Sequence, residues 1–365
     1  MRRVFNLTSV LSCLALPLLS VGAQPVERPQ AAKSSEPAAA SEAAPAVVEG
    51  KPRWSLKTGG SVYSTPAVAN GAVYFGSYDN HLYAADAATG SELWRFRTGG
   101  RVLAAPAIDS AGRLFFGSQD ARLYALEAAT GRQLWKFKTP YSVNSTPVAS
   151  GDAVFFACTD GNVYALEAAT GKQLWARTAR SGVPTAAALA GGLVLFGSGL
   201  GVQAADARTG EERWFYRTAR GVTSAVVVAD GAAYFGSLEG HLHSLDAANG
   251  APRWKFKAEG ALPHSPAVSD GRVYFGGIDG NLYAADAATG RELWRFAAEH
   301  GVTSAPAAAG GIVYFGSTKG LYGLDAATGR QRFWFPTERI VTSTPTPRDG
   351  LIYFGGWDGA LYAVQ

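Results

Sequence analysis

Cysteine and methionine are almost missing from this chain: 365 residues hold two cysteines, Cys13 and Cys158, and one methionine. Only Cys158 lies in the folded part, so no intrachain disulfide framework is available there. Charge of one sign is missing too, with 33 Lys and Arg against 29 Asp and Glu. No stretch clusters basic residues with interleaved aromatics, which argues against nucleic acid as the main partner. No phosphate loop, nucleophile–base pair or carboxylate dyad can be picked out. The Asp-Gly-Asn turns at Asp160 and Asp279 lack calcium-loop spacing. His241 and His243 alternate on one strand as a metal pair would, but no third ligand is evident, so both read as packing residues. The expectation is a protein that is not an enzyme, with no cofactor and no metal.

What is abundant is repetition. Ser61 to Thr98 reads SVYSTPAVANGAVYFGSYDNHLYAADAATGSELWRFRT, and close copies of it follow to the last residue. The closing aromatic recurs at Trp54, Trp94, Trp135, Trp175, Trp214, Trp254 and Trp294, at intervals of 39 to 41 residues. An eighth member of the series has slipped: in the next-to-last copy that slot holds Phe333, with Trp334 one place late. A period near 40 marks a repeat architecture.

Each unit has four short apolar segments rich in aromatic and β-branched residues, at strand length. Asn70-Gly71 is a hairpin turn because both residues tolerate positive φ. In the turn Asp86 to Gly90, the Asp and Thr side chains can bond nearby amides while Gly supplies φ > 0. Four antiparallel strands per unit describe one propeller blade.

The AVYFGS-like segment begins at Ala72, Arg113, Ala153, Leu193, Ala232, Arg272, Ile312 and Leu351, which makes eight blades. The chain ends at Gln365, in register with Asp86, so the last unit lacks its Trp strand. Glu49 to Trp54 carries the missing piece. The expected fold is therefore an all-β, eight-bladed β-propeller of four-stranded antiparallel blades, closed by the N-terminal strand beside three C-terminal strands. Closure removes the free edge, and a monomer is expected.

Residues 1–23 read as a signal peptide: Arg2 and Arg3, an apolar run from Val4 to Val21, and the small-residue end Val21-Gly22-Ala23. Two alternatives stand beside cleavage there, lipidation at Cys13 or retention of the run as an anchor. Such an anchor would be the chain's sole membrane contact. Residues 24–48, rich in Pro, Ala, Ser and Glu, read as a disordered spacer, and 49–365 as the propeller. The expected location is periplasmic or extracellular. Cys158, in register with Ser77, reads as a buried small residue rather than a nucleophile.

The run Ala84 to Trp94, A-x-D-A-A-T-G-x-x-L-W, resembles the tryptophan-docking motif of the quinoprotein (PQQ-type) eight-bladed propellers. The resemblance covers Glu49 to Gln365 and implies that the seven tryptophans and Phe333 pack between blades, each Trp burying about 200 Å². The quinoprotein dehydrogenases of that superfamily interrupt their blades with long insertions and carry a vicinal cysteine pair. This chain has neither. Its uninterrupted blades and export signal resemble the compact non-catalytic branch that includes outer-membrane protein assembly factor B.

Departures between copies mark the candidate site. The loops running from each outer strand to the next inner strand carry Arg101, Arg180, Arg220 and Arg339, with His264, His300, Glu259, Glu299 and Glu338. They read as a polar ring that meets an anionic ligand or a partner loop, or as a solvated rim of mixed charge. Trp357, in the turn Gly356 to Gly359, stands outside the register of the other tryptophans. It reads as a partner anchor or as a cover for the closing blade. The expectation is a protein- or peptide-binding scaffold in the envelope. The alternatives are a small ligand or quinone in the axial channel, or an envelope carbohydrate on Tyr78 and Trp357.

Overall fold

The computed structural model describes residues 47–365, Val183 excepted. The expected signal at 1–23 and nearly all of the expected spacer at 24–48 lie outside the described residues. Among those described there is no helix, and so none long and apolar enough to cross a membrane.

Blade 1 shows how the unit folds. Its strands are Ala67–Ala69, Ala72–Gly76, His81–Asp86 and Glu92–Arg97, paired in that order and antiparallel throughout. Asn70 and Gly71 turn the first hairpin at φ of 50° and 73°, the backbone their sequence invites. In the third turn Asp86 Oδ1 accepts from the amides of Ala88 and Thr89 and from the Thr89 hydroxyl, and Gly90 closes it at φ 75°. Blades 2 to 6 repeat this order.

The ring closes as the alignment requires. Pro52–Lys57 is the outer strand of blade 8, pairing with Ala360–Val364 in the register Pro52↔Val364 to Lys57↔Ala360. One addition was not foreseen: Val48–Glu49 runs parallel to Gln331–Pro336, giving blade 7 a fifth strand. The chain is held there because the Gly50 amide donates to the Trp334 carbonyl at 2.8 Å.

The core is a series of layers between blades. Within a blade, a Phe on the second strand stacks on a Tyr of the third, as in Phe75–Tyr83, Phe116–Tyr124 and Phe156–Tyr164, with centroids 5.2–5.3 Å apart. Edge-on Phe rings from the preceding blade, such as Phe96 on Tyr124, fill the gap between layers. Beside the docking position every outer strand shifts register by a bulge, which re-aims the aromatic residue toward the next blade. Trp54 Nε1 then donates to the Ala87 carbonyl at 3.0 Å, and the other six register tryptophans repeat this one blade on. A Cβ on Gly90 would sit 2.5 Å from the Trp54 ring, so this turn needs glycine for space as well as for φ. Phe333 makes the equivalent contact on Gly50, where a Cβ would come within 2.3 Å. Trp334 turns instead onto Tyr322 at 4.4 Å.

Candidate functional site

The propeller has two unlike faces. On one, each outer-to-inner loop lies against the turn between second and third strands: the Gly59 amide bonds Asp79 Oδ2 at 2.8 Å and the Tyr78 amide bonds the Ser61 carbonyl at 3.0 Å. This is the loop face. The opposite face carries the Asn70-Gly71 and Asp86-to-Gly90 types of turn, joined by the Ala87 amide to the Gly71 carbonyl at 2.9 Å. Cavities on that opposite face, of about 520 Å³ between blades 3 and 4, 460 Å³ between blades 4 and 5 and 420 Å³ between blades 1 and 2, recur at the same structural position. They are grooves of the repeat, not a singular site.

The loop face is internally braced. Tyr83 donates to Asp79 at 2.6 Å, and Tyr124–Asp120, Tyr164–Asp160, Tyr283–Asp279 and Tyr362–Asp358 repeat the pair. Burial, reinforced by the carboxylate, pushes the Tyr83 and Tyr283 hydroxyls up to about 12. Blade 4 breaks the pattern with Gln203, fully buried, which accepts the Arg180 amide at 2.7 Å and donates to Glu212 at 3.0 Å. In blade 5 the pair becomes Glu239 and His243. Burial drives His243 down to about 4, so the ring is neutral.

The sequence-predicted arginines lie on this face but in separate sectors. Arg180 binds Glu212 at 2.5 Å and lies over the Phe215 ring at 4.5 Å, with Arg177 on the same carboxylate at 3.2 Å. Hydrogen bonding from Arg180 is the main cause that holds Glu212 below the usual carboxylate range. Arg101 lies over Tyr78 at 4.8 Å. Arg220 and Arg339 are exposed, and among the described residues neither side chain has an ion pair. Glu259 is taken by Arg295 at 2.9 Å. His264 is not a rim residue. It aligns with the buried Ser224, Ser304 and Ser343, which clamp the second strand of their blades; His264 itself is half-buried, and burial lowers its pKa. Cys158 is buried, with burial raising its thiol pKa, as a packing residue should be.

Trp357 is 47 % exposed, its indole donating to Thr342 at 2.8 Å. From it a continuous surface runs across blades 8, 1 and 2. The Ser61 hydroxyl donates to the Trp357 carbonyl at 3.0 Å, Tyr63 and Tyr78 lie 6.3 Å apart, and Arg101 covers Tyr78. Tyr63, Tyr141, Leu238 and Ile278 on the same face are also exposed. Reading the sequence missed these four, because nothing in the repeat marks which loop and turn residues stay exposed once the blades have packed.

Uninterrupted blades, a closed ring and a loop face of exposed aromatics define a compact eight-bladed propeller of the quinoprotein-like repeat class. The family model for outer membrane protein assembly factor BamB matches residues 39–110, 85–224, 198–301 and 278–365, and the chain belongs to that family. Among solved structures it is similar to BamB from Moraxella catarrhalis, at 20 % identity over 87 % of this chain and 99 % of that one, TM-score 0.76. It is similar to the computationally designed Ika8 protein at 19 % identity, covering 84 % and 96 % of the two chains, TM-score 0.76. A europium-containing methanol dehydrogenase shares the fold at 16 % identity, covering 85 % and 86 %, TM-score 0.72. No curated protein sequence matches.

Proposed function

We propose that this chain is an exported, non-catalytic scaffold of the cell envelope that binds a protein or peptide partner in outer-membrane protein assembly. Membership of the BamB family supports the process. The loop face supports the mode. Tyr63, Tyr141, Leu238, Ile278 and Trp357 all project from it, and exposed aromatic and aliphatic groups gathered on one face of a soluble domain mark contact surfaces. The run Trp357–Tyr63–Tyr78–Arg101 carries this reading, because it joins two rigid aromatics, a tryptophan and an arginine without a buried charge to desolvate. Loops on a rigid ring hold such groups at little entropic cost.

The competing ligand, a quinone on the axis, finds no support in the blades, which have no insertions and no vicinal cysteines to build its site. The test is a Trp357→Ala/Tyr78→Ala variant in native envelopes. It should fold with an unchanged melting temperature and lose co-purification with proteins of outer-membrane protein assembly. Retention of that co-purification at wild-type level overturns the proposed face.

A further inference from the structure

Blade 5 breaks the Asp–Tyr pairing of the loop face in a way that gathers metal-ligating groups. Glu239 stands where blades 1, 6 and 8 have Asp79, Asp279 and Asp358, and His243 stands where they have Tyr83, Tyr283 and Tyr362. His241 lies two residues before His243 on the strand His241–Asp246, so both rings leave the same face. The geometry points to a binding site for one divalent transition ion, of the zinc class, formed by Glu239, His241 and His243.

Three observations carry this. A donor atom from each residue lies within 4.8 Å of the others, and His243 Nε2 stands 3.8 Å from Glu239 Oε1. Tetrahedral zinc holds nitrogen and oxygen at about 2.0–2.1 Å, so closure needs side-chain rotation rather than backbone movement. Next, the His243 ring is already oriented. It stacks on Phe235 at 4.9 Å, and the Tyr216 hydroxyl lies 3.4 Å from Nδ1, leaving Nε2 toward Glu239 and the Ser237 hydroxyl at 3.2 Å. Support of one ring nitrogen by an outer group is how metal-bound histidines are held. Finally, the Glu239 carboxylate is fixed by the amides of Ala219 and Arg220 at 3.3 and 3.1 Å.

Lys255 and Lys257 face His243 and His241 across the strand pair and weaken cation binding. The Lys257 ammonium, however, is turned onto the Glu239 carbonyl at 2.7 Å. His241 is half-buried and opens the site to solvent, so water or a partner side chain completes the coordination. The third ligand escaped the sequence reading because Glu239 sits in a turn, and only the turn geometry folds it back over the strand.

The experiment titrates chelator-stripped full-chain protein with Co²⁺, following the visible bands of tetrahedral cobalt, and with Zn²⁺ by calorimetry. One equivalent should bind, with zinc displacing cobalt. Outer-sphere changes at such sites cost roughly 10–100-fold in affinity. Loss of a ligand in Glu239→Gln, His241→Asn or His243→Tyr should therefore weaken binding at least about tenfold. His243→Tyr restores the residue of blades 1, 6 and 8 and keeps the test valid if the remaining variants misfold. Absence of cobalt bands and zinc heat, or unchanged affinity in His243→Tyr, overturns the site.

Discussion

Trp54 tests ring closure, because it is the one register tryptophan supplied by the N-terminal strand. Its indole packs on Gly90, lies 5.9 Å from the Tyr353 ring, and bonds the Ala87 carbonyl. Replacing a core tryptophan with alanine costs about 3–5 kcal/mol. Trp54 is half-buried, and the Ala87 carbonyl keeps a second donor in the Tyr353 hydroxyl at 3.1 Å, so no acceptor is orphaned. Both facts place Trp54→Ala at the low end, about 3 kcal/mol. At about 2 °C per kcal/mol for a domain this large, the melting temperature should fall by roughly 6 °C. Trp135→Ala, inside the ring, should cost at least as much, because Trp135 is more buried. The two perturbations separate in association: deleting residues 47–57 strips the strand from Ala360–Val364 and leaves that strand unpaired on one side, whereas Trp135→Ala removes no strand. Scanning calorimetry with light scattering reads both effects. A deletion variant that stays monomeric with an unchanged melting temperature refutes the closure argument.

Arg180→Ala/Arg220→Ala should change stability by under about 0.5 kcal/mol in denaturant titrations, because both side chains are exposed and Glu212 retains Arg177. A larger loss would make the Arg180–Glu212 pair structural, and partner binding by this variant reports whether the blade 4–5 sector joins the interface. His264 should make the fold acid-sensitive. Its folded pKa lies below the ordinary value of about 6.5, so stability is complete above that pH and is lost as pH falls toward the folded value. Between pH 7.5 and pH 5, wild type should lose more melting temperature than His264→Ser, and equal losses contradict this. The protein should not bind PQQ tightly, with or without calcium, and saturable micromolar binding, roughly −8 kcal/mol, would overturn the non-catalytic reading.

The fold was legible because every blade repeats the same local instructions. Asn70-Gly71 and Asp86 to Gly90 announce their turns by residue type, and the eightfold count follows from register alone. Even the closing strand could be found, since Glu49 to Trp54 supplies what the last copy lacks. The site was less legible because its parts are set by exposure and reach. Arg180 looked like a free cation until Glu212, 32 residues later, was seen to hold it. His264 looked like a rim residue, yet it takes the position of the clamping serines and is half-buried there. Tyr63 and Ile278 carry no motif, and their meaning lies in remaining exposed once the blades have packed.

Site-specific photo-crosslinking in living cells tests the central claim most directly, with a photoreactive residue at Trp357 or Tyr78 on the loop face and at Leu93 on an outer strand. The account predicts a strong adduct to a protein of outer-membrane protein assembly from positions 357 and 78, and none from position 93. Adducts from Leu93 alone, or none to such a protein from any position, would contradict it.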